Sequence, residues 1–214
     1  MGRRKDQERR RRALIDATMA VIADAGPSGV TARQVAARAG LSPAAVIYYF
    51  PQMDDLVAAV RGDAVRRFCV GRERIAEECA DPAEALPLLL AAGLPSGPDD
   101  LLVSAIAQLF GAARREERHA RLSTEFWLRQ VGMYTRLIER GARAGVFRPL
   151  LPAGTAAEHL VALEDAYGVH IVGGNASLTR ERALSLLLSY AEGVLGPPSA
   201  EGAAEAGGGV TAPR

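Results

Sequence analysis

Twenty residues near the N-terminus, TARQVAARAGLSPAAVIYYF at 31–50, constrain the fold of this chain more than any other stretch. Thr31 and Gln34 have the spacing of a capping box, in which the Thr hydroxyl accepts a hydrogen bond from the Gln34 amide N–H and the Gln side chain reaches back. Gly40 is the residue type that ends a helix in the left-handed conformation. The Ser-Pro pair at 42–43 suits the N-cap and first position of a second helix. Two short helices joined by a turn of about three residues are therefore predicted, the pattern of a helix-turn-helix.

Adjacent tyrosines, Tyr48 and Tyr49, lie on the second of these helices. Neighbouring residues on a helix point about 100° apart, so both rings cannot enter one core. Val46 and Phe50 lie four residues apart and share the buried face, which leaves the tyrosines on its flanks. At the edges of a helix that reads a DNA groove, phenol hydroxyls can donate to phosphate oxygens. The alternative, equally compatible with the spacing, is that both rings cover the apolar rim of the domain.

Helical periodicity continues through the rest of the chain, and no stretch keeps the alternation of a strand. The predicted helices after residue 50 span 54–79, 83–93, 99–115, 118–144, 154–174 and 179–195. Breaks rich in Gly and Pro separate most of them. Of the 214 residues, 49% are hydrophobic, which is enough for a core at this length. The fold class is therefore all-α.

Charge is distributed unevenly along the chain. Residues 1–50 contain nine Lys and Arg against four Asp and Glu, whereas residues 51–214 contain 17 against 21. A basic front on a mildly acidic body favours an anionic partner for the front, and a solvated arginine tail is the alternative. We expect residues 1–8 to form a disordered basic arm, because they have no apolar anchor. The Gly-, Ala- and Pro-rich residues 197–214 are expected to be a disordered tail.

Several other classes of protein are not favoured. Cys69 and Cys79 lie ten residues apart in a helical pattern, about 15 Å along the axis, and cannot bridge each other, which favours a reduced, cytoplasmic protein. We see no signal peptide and no apolar run long enough to span a membrane. No Gly-rich phosphate loop, His-Glu-x-x-His or Cys-x-x-Cys is present, and His119, His159 and His170 are dispersed. We therefore expect neither an enzyme nor a metal site.

Residues 9–56 resemble the N-terminal DNA-binding domain of the TetR family of transcriptional repressors. The resemblance rests on Ala17 to Ile22 in the first helix and on 30-VTARQVAARAGLSPAAVIYYFPQMDDL-56. This run has the family's order of a hydroxyl residue, a small apolar pair, Ala-Gly-hydrophobic-Ser, an aromatic cluster ending in Phe, and an acidic-Leu pair. Farther along, Gly141 to Pro149 and residues 178–196 resemble the BetI-like C-terminal group.

The resemblance implies a three-helix helix-turn-helix DNA-binding domain over 9–53 and a larger helical bundle for ligand binding and dimerisation over 54–196. It implies a ligand-responsive repressor that binds a palindromic operator as a homodimer and is released by a small apolar or amphipathic molecule. The location would be the nucleoid, with no cofactor. Broad apolar faces on the last two helices favour a two-fold interface there. These faces consist of Leu160, Val161, Leu163, Tyr167, Ile171, Leu184, Leu187, Leu188, Ala191 and Val194.

Arg33 occupies a position that resembles a guanine-contacting one in some family members. An Arg can bind guanine O6 and N7 with two hydrogen bonds, and a solvent-facing helix residue is the alternative role. Ala44 and Ala45 could touch a thymine methyl, or could only allow close approach. The phosphate candidates are Thr31, Ser42, Tyr48 and Tyr49. The complete predicted DNA-binding set is Thr31, Arg33, Gln34, Ser42, Pro43, Ala44, Ala45, Tyr48 and Tyr49.

Two positions depart from the family pattern. Ile47 stands where the family often has Tyr, and Met53 stands where it usually has a Lys that contacts phosphate. Loss of a phosphate-binding cation weakens affinity for DNA, unless the arginines at 9–12 reach the backbone. These departures support an alternative function, a helical ligand-binding or scaffolding protein with a decayed DNA-reading surface.

The resemblance also implies a cavity among the middle helices, where aromatic and a few polar groups would line a small-molecule pocket. The predicted ligand-binding residues are Phe68, Phe110, Trp127, Tyr134, Glu164 and His170. For each of them core packing is the alternative, and a buried, hydrogen-bonded histidine is the more ordinary role for His170. A third interpretation, a small helical enzyme, would use His170.

Overall fold

The computed structural model describes residues 2–111 and 117–196, and within these ranges the chain contains helices and no strand. The α-helices are α1 Gly2–Ala25, α2 Ala32–Ala39, α3 Pro43–Tyr49, α4 Met53–Glu78, α5 Pro82–Gly93, α6 Leu101–Gly111, α7 Glu117–Arg143, α8 Ala153–Val172 and α9 Arg180–Leu195, with a short 3-10 helix at Pro27–Gly29. Each helix from α4 onward begins within two residues of its predicted start. The all-α prediction is confirmed for the described residues. The expected disordered tail at 197–214 lies outside them.

The helix-turn-helix forms as the capping pattern predicts. The Thr31 hydroxyl accepts from the Gln34 N–H at 3.3 Å, and the Thr31 N–H donates to Gln34 Oε1 at 3.0 Å, which completes the capping box of α2. Gly40 ends α2 with φ 65°, a conformation that a side chain would strain. Ser42 Oγ accepts from the Ala45 N–H at 3.2 Å and caps α3.

Helix α1 reaches farther back than expected. We expected residues 1–8 to be a disordered arm, whereas α1 begins at Gly2. Asp6 explains part of the difference, because its carboxylate pairs with Arg9 at 2.8 Å and Arg10 at 3.2 Å, one helical turn away. The hydrogen bond from Arg9 is the largest influence on the pKa of Asp6 and holds it below its ordinary value.

The helices form two compact units. The N-terminal unit consists of Met1–Cys69 and Ser96–Phe126. Helix α1 packs against α2 and α6, and α2 packs against α3. Its fully buried side chains come from α1, α2, α3, the α3 C-cap, α4 and α6, and the larger ones include Leu14, Ile22, Val35, Val46, Phe50, Leu56, Val60 and Leu109. Val46 and Phe50 therefore share a core with Ile22 and Val35, and each large apolar side chain buried there contributes about 1.5–3 kcal/mol.

The C-terminal unit consists of Val70–Pro95 and Trp127–Arg214. Its core is built from α5, the second half of α7, α8 and α9, and includes Leu89, Leu90, Met133, Leu137, Ile138, Leu160, Leu187 and Leu195. Gly141 on α7 lies against the Phe147 ring, and a methyl group at that position would overlap it. This division differs from the predicted boundary at residues 53 and 54, since α6 packs with α1. That functional boundary stays a prediction.

Candidate functional site

The outer surface of α3 carries no charged side chain, and its exposed polar groups include the Ser42 cap and the Tyr48 hydroxyl. Val46 is buried, whereas Ala44, Ile47 and Tyr48 are exposed, and Ile47 retains 44% of its accessible surface. Ala45 is only partly exposed. The sequence of α3 contains no charged or amide side chain. If this helix faces DNA, Ala44 and Ile47 can make only van der Waals contacts, of the kind that an apolar group makes with a thymine methyl, and the Tyr48 hydroxyl is its exposed hydrogen-bonding group.

The two tyrosines have different environments. Tyr48 is 71% exposed, whereas Tyr49 is partly buried against the core of the N-terminal unit. Their rings meet edge to face, with centroids 5.2 Å apart and planes at 89°. The rim-covering alternative therefore fits Tyr49 in part, and Tyr48 is the tyrosine that is open to a phosphate. A DNA contact by either residue stays a prediction.

On α2 the capping box limits which side chains can contact a base. The Thr31 hydroxyl and Gln34 Oε1 bind each other at 2.7 Å, in addition to their backbone contacts. Gln34 keeps its amide N–H groups as donors, but its oxygen is engaged. Arg33 is exposed in the first turn, as a base-reading residue requires. Arg38, also exposed, pairs with Asp24 at 3.3 Å.

Two of the predicted ligand residues belong to an aromatic cluster in the N-terminal unit. Phe68 meets Phe126 edge to face at 5.6 Å, and Phe110 stacks on Phe126 at 5.1 Å with planes 11° apart. Phe126 is buried and was not among the predicted residues. Phe68 and Phe110 are partly buried and pack against the core, which is the alternative role that the sequence left open.

Two others, Tyr134 and Glu164, meet in a buried polar cluster in the C-terminal unit. Arg72 on α4 donates from Nη2 to both carboxylate oxygens of Glu164, at 2.9 and 2.6 Å. The Tyr134 hydroxyl also binds Glu164, and Arg72 Nη1 donates to Gln130 Oε1 at 2.9 Å. Arg72 and Glu164 are each 2% exposed. Two opposite charges are thus buried away from water. They form an ion pair with each other and hydrogen bonds with the side chains of Tyr134 and Gln130.

Burial and the neighbouring charges set the pKa values of the groups in this cluster. Burial raises the pKa of Glu164, against the opposing influence of Arg72, and it raises the pKa of Tyr134 well above its ordinary value. Burial is the largest single influence on the pKa of Arg72 and lowers it, but the Glu164 carboxylate and the Tyr134 hydroxyl together outweigh burial and raise the pKa of the guanidinium. Arg72 is therefore a fixed cation and Tyr134 a neutral donor. The guanidinium also lies over the Tyr134 ring, 5.7 Å from its centroid.

Sequence reasoning missed Arg72 and Gln130 because their partners are distant in the chain. Arg72 and Glu164 are 92 residues apart, and no local pattern links them. Gly93 gave no signal either, although a methyl group there would overlap the Glu164 carboxylate. Glu164 became a candidate only as one of the few polar groups expected in a pocket among the middle helices, and its sequence neighbour Asp165 is exposed.

The remaining two ligand candidates lie elsewhere. Trp127 is partly buried and packs against the core of the C-terminal unit. His170 is exposed near the end of α8, and its Nδ1 lies 3.2 Å from Asn175 Nδ2. The expectation of a buried histidine at this position is therefore incorrect, because the outward face of α8 carries it. The ligand-binding role of all six residues stays a prediction.

Half of the residues predicted to form the dimer interface are buried within a single chain. Helix α8 packs against α9, and Leu160, Val161, Ile171, Leu187 and Ala191 are buried in the core of the C-terminal unit. The others of the predicted face, Leu163, Tyr167, Leu184, Leu188 and Val194, are only partly buried. An additional apolar residue on α8, Val169, is 59% exposed. A dimer formed by these helices would have to use the second group.

Two further observations concern the described residues alone. No group of three or more His, Cys, Asp or Glu is arranged to hold a metal ion there. Among their helices, none combines the length and apolar character that crossing a membrane requires.

The sequence matches two family models that between them cover the helix-turn-helix and most of the following helices. The model for bacterial regulatory proteins of the tetR family matches residues 14–60. The model for the C-terminal part of BetI-type transcriptional repressors matches residues 82–196, more than half of the chain. The chain belongs to the TetR family. The resemblance seen in the sequence, including its BetI-like part, is confirmed.

Individual relatives agree with this family assignment. The chain is 27% identical to the HTH-type transcriptional regulator BetI of Rhizobium meliloti, over 85% of this chain and 87% of the relative. It is 23% identical to the regulator PksA of Bacillus subtilis, over 91% and 94%. A transcriptional regulator from Saccharomonospora viridis, solved in complex with choline, has the same fold, with a TM-score of 0.77 and 23% identity over 85% and 95% of the two chains.

TetR-family proteins are transcriptional regulators that bind DNA and small-molecule effectors, and they are not enzymes. The interpretation of this chain as a small enzyme that uses His170 is therefore set aside. Arg33, Ala44 and Tyr48 are exposed on the α2–α3 pair, and their contact with DNA stays a prediction.

Proposed function

We propose that this TetR-family regulator is a repressor that binds a palindromic operator as a homodimer and leaves it when a small apolar or amphipathic molecule binds. The capped α2–α3 pair with its exposed outer face is the observation that carries the proposal. The match to BetI-type repressors supports the repressing role. Since the operator would be chromosomal, the site of action would be the nucleoid, in the cytoplasm.

The DNA-binding domain would comprise residues 9–53 and read the major groove with two kinds of contact. Arg33 would bind a guanine through two hydrogen bonds, while Ala44 supplies an apolar contact. Thr31, Ser42 and the exposed Tyr48 would contact phosphates, which position the domain without reading sequence. The excess of basic residues over residues 1–50 supports an anionic partner.

The ligand-binding and dimerisation domain would comprise residues 54–196, with the partly buried residues of α8 and α9 facing a second copy. In a two-fold dimer the two copies of α3 must lie about 34–36 Å apart to enter successive major grooves. Leu184, Leu188 and Val194 are partly exposed apolar residues of α9 that a partner could cover.

The buried cluster narrows the chemistry of the effector. Glu164 and Tyr134 would suit a cationic ligand, since a carboxylate and an aromatic ring both attract cations, but Arg72 already occupies them. A cationic ligand would have to displace a buried guanidinium. We therefore propose an uncharged apolar or amphipathic effector, unlike the choline bound by the relative from Saccharomonospora viridis. A thermal-shift titration with choline should leave the melting temperature of the wild type unchanged, and a clear rise would contradict this part.

One experiment separates this function from its alternative, a ligand-binding or scaffolding protein with a decayed DNA-reading surface. The full chain is used to select fragments from its own genome, and the enriched fragments are tested by gel shift. The proposal predicts a fragment that is bound at least about a thousandfold more tightly than random DNA. The alternative predicts no enrichment, and that result would remove the repressor function.

A further inference from the structure

Arg11 on α1 contacts the end of the helix that would read DNA. Its Nη1 donates to the Tyr49 carbonyl oxygen at 3.3 Å, and its guanidinium carbon lies 4.1 Å from the centroid of the Phe50 ring. Tyr49 is the last residue of α3 and Phe50 is its C-cap. One side chain thus binds both the last carbonyl and the capping residue of α3.

The contact with Arg11 matters because α3 is short. A helix of seven residues leaves its last four carbonyl groups without partners in the helix, and Phe50 supplies one donor, its N–H to the Val46 carbonyl at 2.9 Å. A cation at the C-terminal end also interacts favourably with the helix dipole. Phe50 is buried, so Arg11 covers the outer face of a core ring.

Its neighbours in α1 have different contacts. Arg9 and Arg10 both pair with Asp6 in their own helix. Arg11 instead lines a shallow concavity with Tyr49, Phe50, Pro51, Asp55, Ala58 and Ala59. Asp55 brings an acidic group to the same concavity, which disfavours a phosphate oxygen there.

We propose that Arg11 is a positioning residue for operator recognition: it holds the C-terminal end of α3, and with it Tyr48 and Tyr49, in the orientation that reads DNA. This inference rests on the proposed function and deepens it, because it separates one basic residue of α1 from the phosphate-binding role that its charge would suggest. The role is to preserve discrimination between operator and random DNA.

The test compares Arg11→Ala, Arg11→Lys and a matched control, Arg12→Ala, which removes the same charge from the next position of α1. The probes are the genomic fragment enriched by the wild-type chain and a random duplex of equal length. Arg11→Ala should lower the ratio of specific to random affinity by about fivefold or more, with an unchanged salt dependence. Arg11→Lys should restore most of the ratio, because it keeps the cation beside the helix end and the ring. Arg12→Ala should leave the ratio unchanged.

Three results would overturn the proposal. Equal losses for both duplexes with a shallower salt dependence would make Arg11 a phosphate ligand, and equal losses with an unchanged salt dependence would indicate only a smaller folded fraction. Affinities for both duplexes that equal those of the wild type would leave Arg11 without a role in recognition.

Amide hydrogen exchange of the free chain tests the positioning step without DNA. Arg11→Ala should accelerate exchange at the Phe50 N–H by about fivefold or more, and exchange at Val35 in α2 should stay close to the wild-type rate. Equal exchange at Phe50 in the variant and the wild type would overturn the positioning role. If the wild type enriches no DNA at all, the proposed function fails, and the exchange result still decides whether Arg11 holds α3.

Discussion

At the residue scale, Arg33 and Gln34 are neighbours with different freedom to read a base. The side-chain oxygen of Gln34 accepts a hydrogen bond in the cap of α2, whereas the Arg33 side chain is exposed in the same turn. Sequence pattern alone made both candidates. The geometry of the capping box separates them, and it leaves Arg33 as the residue with the larger expected effect on specificity.

Arg33→Ala should weaken operator binding by about 1–3 kcal/mol and relax the preference at one base pair in each half-site. The physical reason is the loss of two hydrogen bonds to a guanine edge. Arg38→Ala is the matched control, since it removes the same charge from the same helix at a residue paired with Asp24. Quantitative gel shifts on the operator and on single-base variants provide the measurement. An equal loss for operator and random DNA would show that Arg33 touches phosphate.

Gly93 provides a second residue-scale prediction. Gly93→Ala places a methyl group against the Glu164 carboxylate and the Arg72 guanidinium, and it should lower the free energy of unfolding by about 1–3 kcal/mol. Gly71→Ala is the control, because Gly71 lies in α4 with open space around it and should gain about 0.5–1 kcal/mol from helix propensity. Urea denaturation measures both. Two variants of equal stability would contradict the packing of the cluster.

At the element scale, α4 and α7 are tied together by an ion pair within the C-terminal unit. Arg129 donates to both carboxylate oxygens of Glu73, at 2.5 and 2.7 Å. These hydrogen bonds hold the pKa of Glu73 below its ordinary value, against a smaller opposing effect of burial. The pair is partly exposed, so its contribution is modest.

A pH dependence follows from the lowered pKa of Glu73. The folded state holds the carboxylate ionised more strongly than the unfolded chain does, so the stabilisation is complete above the unfolded pKa of about 4.3 and is lost as the pH falls through the folded value. Glu73→Gln should cost about 0.5–1 kcal/mol at pH 7, and the difference from wild type should narrow as the pH falls through the lowered pKa of Glu73. Glu78→Gln, an exposed residue of the same helix, serves as the control. A difference that stays constant from pH 7 to pH 3 would contradict the assignment.

The elements were largely predictable because their signals are local. The Thr31 capping box, the left-handed Gly40 and the Ser42 cap act over three or four residues, and the structure contains all three. For residues 2–8 the sequence reading considered only apolar anchors, whereas the structure continues α1 to Gly2 with ion pairs from Asp6 to Arg9 and Arg10; the assignment of residues 1–8 as an arm stays a prediction. The sharing of Phe126 by Phe68 and Phe110, and the packing of α6 on α1, depend on contacts distant in sequence.

The candidate sites also contain one part that local sequence predicts and one part that depends on contacts between distant residues. The DNA-reading part is one continuous segment, so helical periodicity by itself is enough to place Val46 and Phe50 inside and Tyr48 outside. The polar cluster requires Arg72 and Glu164 to meet across 92 residues, and nothing in either local sequence indicates the other. Tyr134 and Glu164 were predicted only as polar or aromatic members of a pocket implied by the resemblance, and no local pattern indicated that they meet.

At the scale of the whole molecule, the proposed function requires effector and operator to compete through the protein. A ligand that releases DNA must bind the DNA-free form better, and the coupling is reciprocal. An uncharged amphipathic ligand found by thermal-shift screening should therefore bind the operator complex about 5–150-fold more weakly than the free protein. Matched calorimetric titrations measure both affinities. In Phe68→Ala we expect this factor to be smaller, because Phe68 lies on α4, the helix that contributes residues to both compact units. Equal affinities in the wild type would exclude induction by this ligand.

The central claim is that two copies of α2–α3 read a two-fold operator, and a hydroxyl-radical footprint of the wild-type chain on its enriched genomic fragment tests it most directly. Two copies of α3 about 34–36 Å apart should protect two half-sites whose centres lie about 10 base pairs apart, or a multiple of that spacing, related by two-fold symmetry on the two strands. Arg33→Ala should weaken both protected regions equally. A single protected region, or protection without symmetry, would contradict the account.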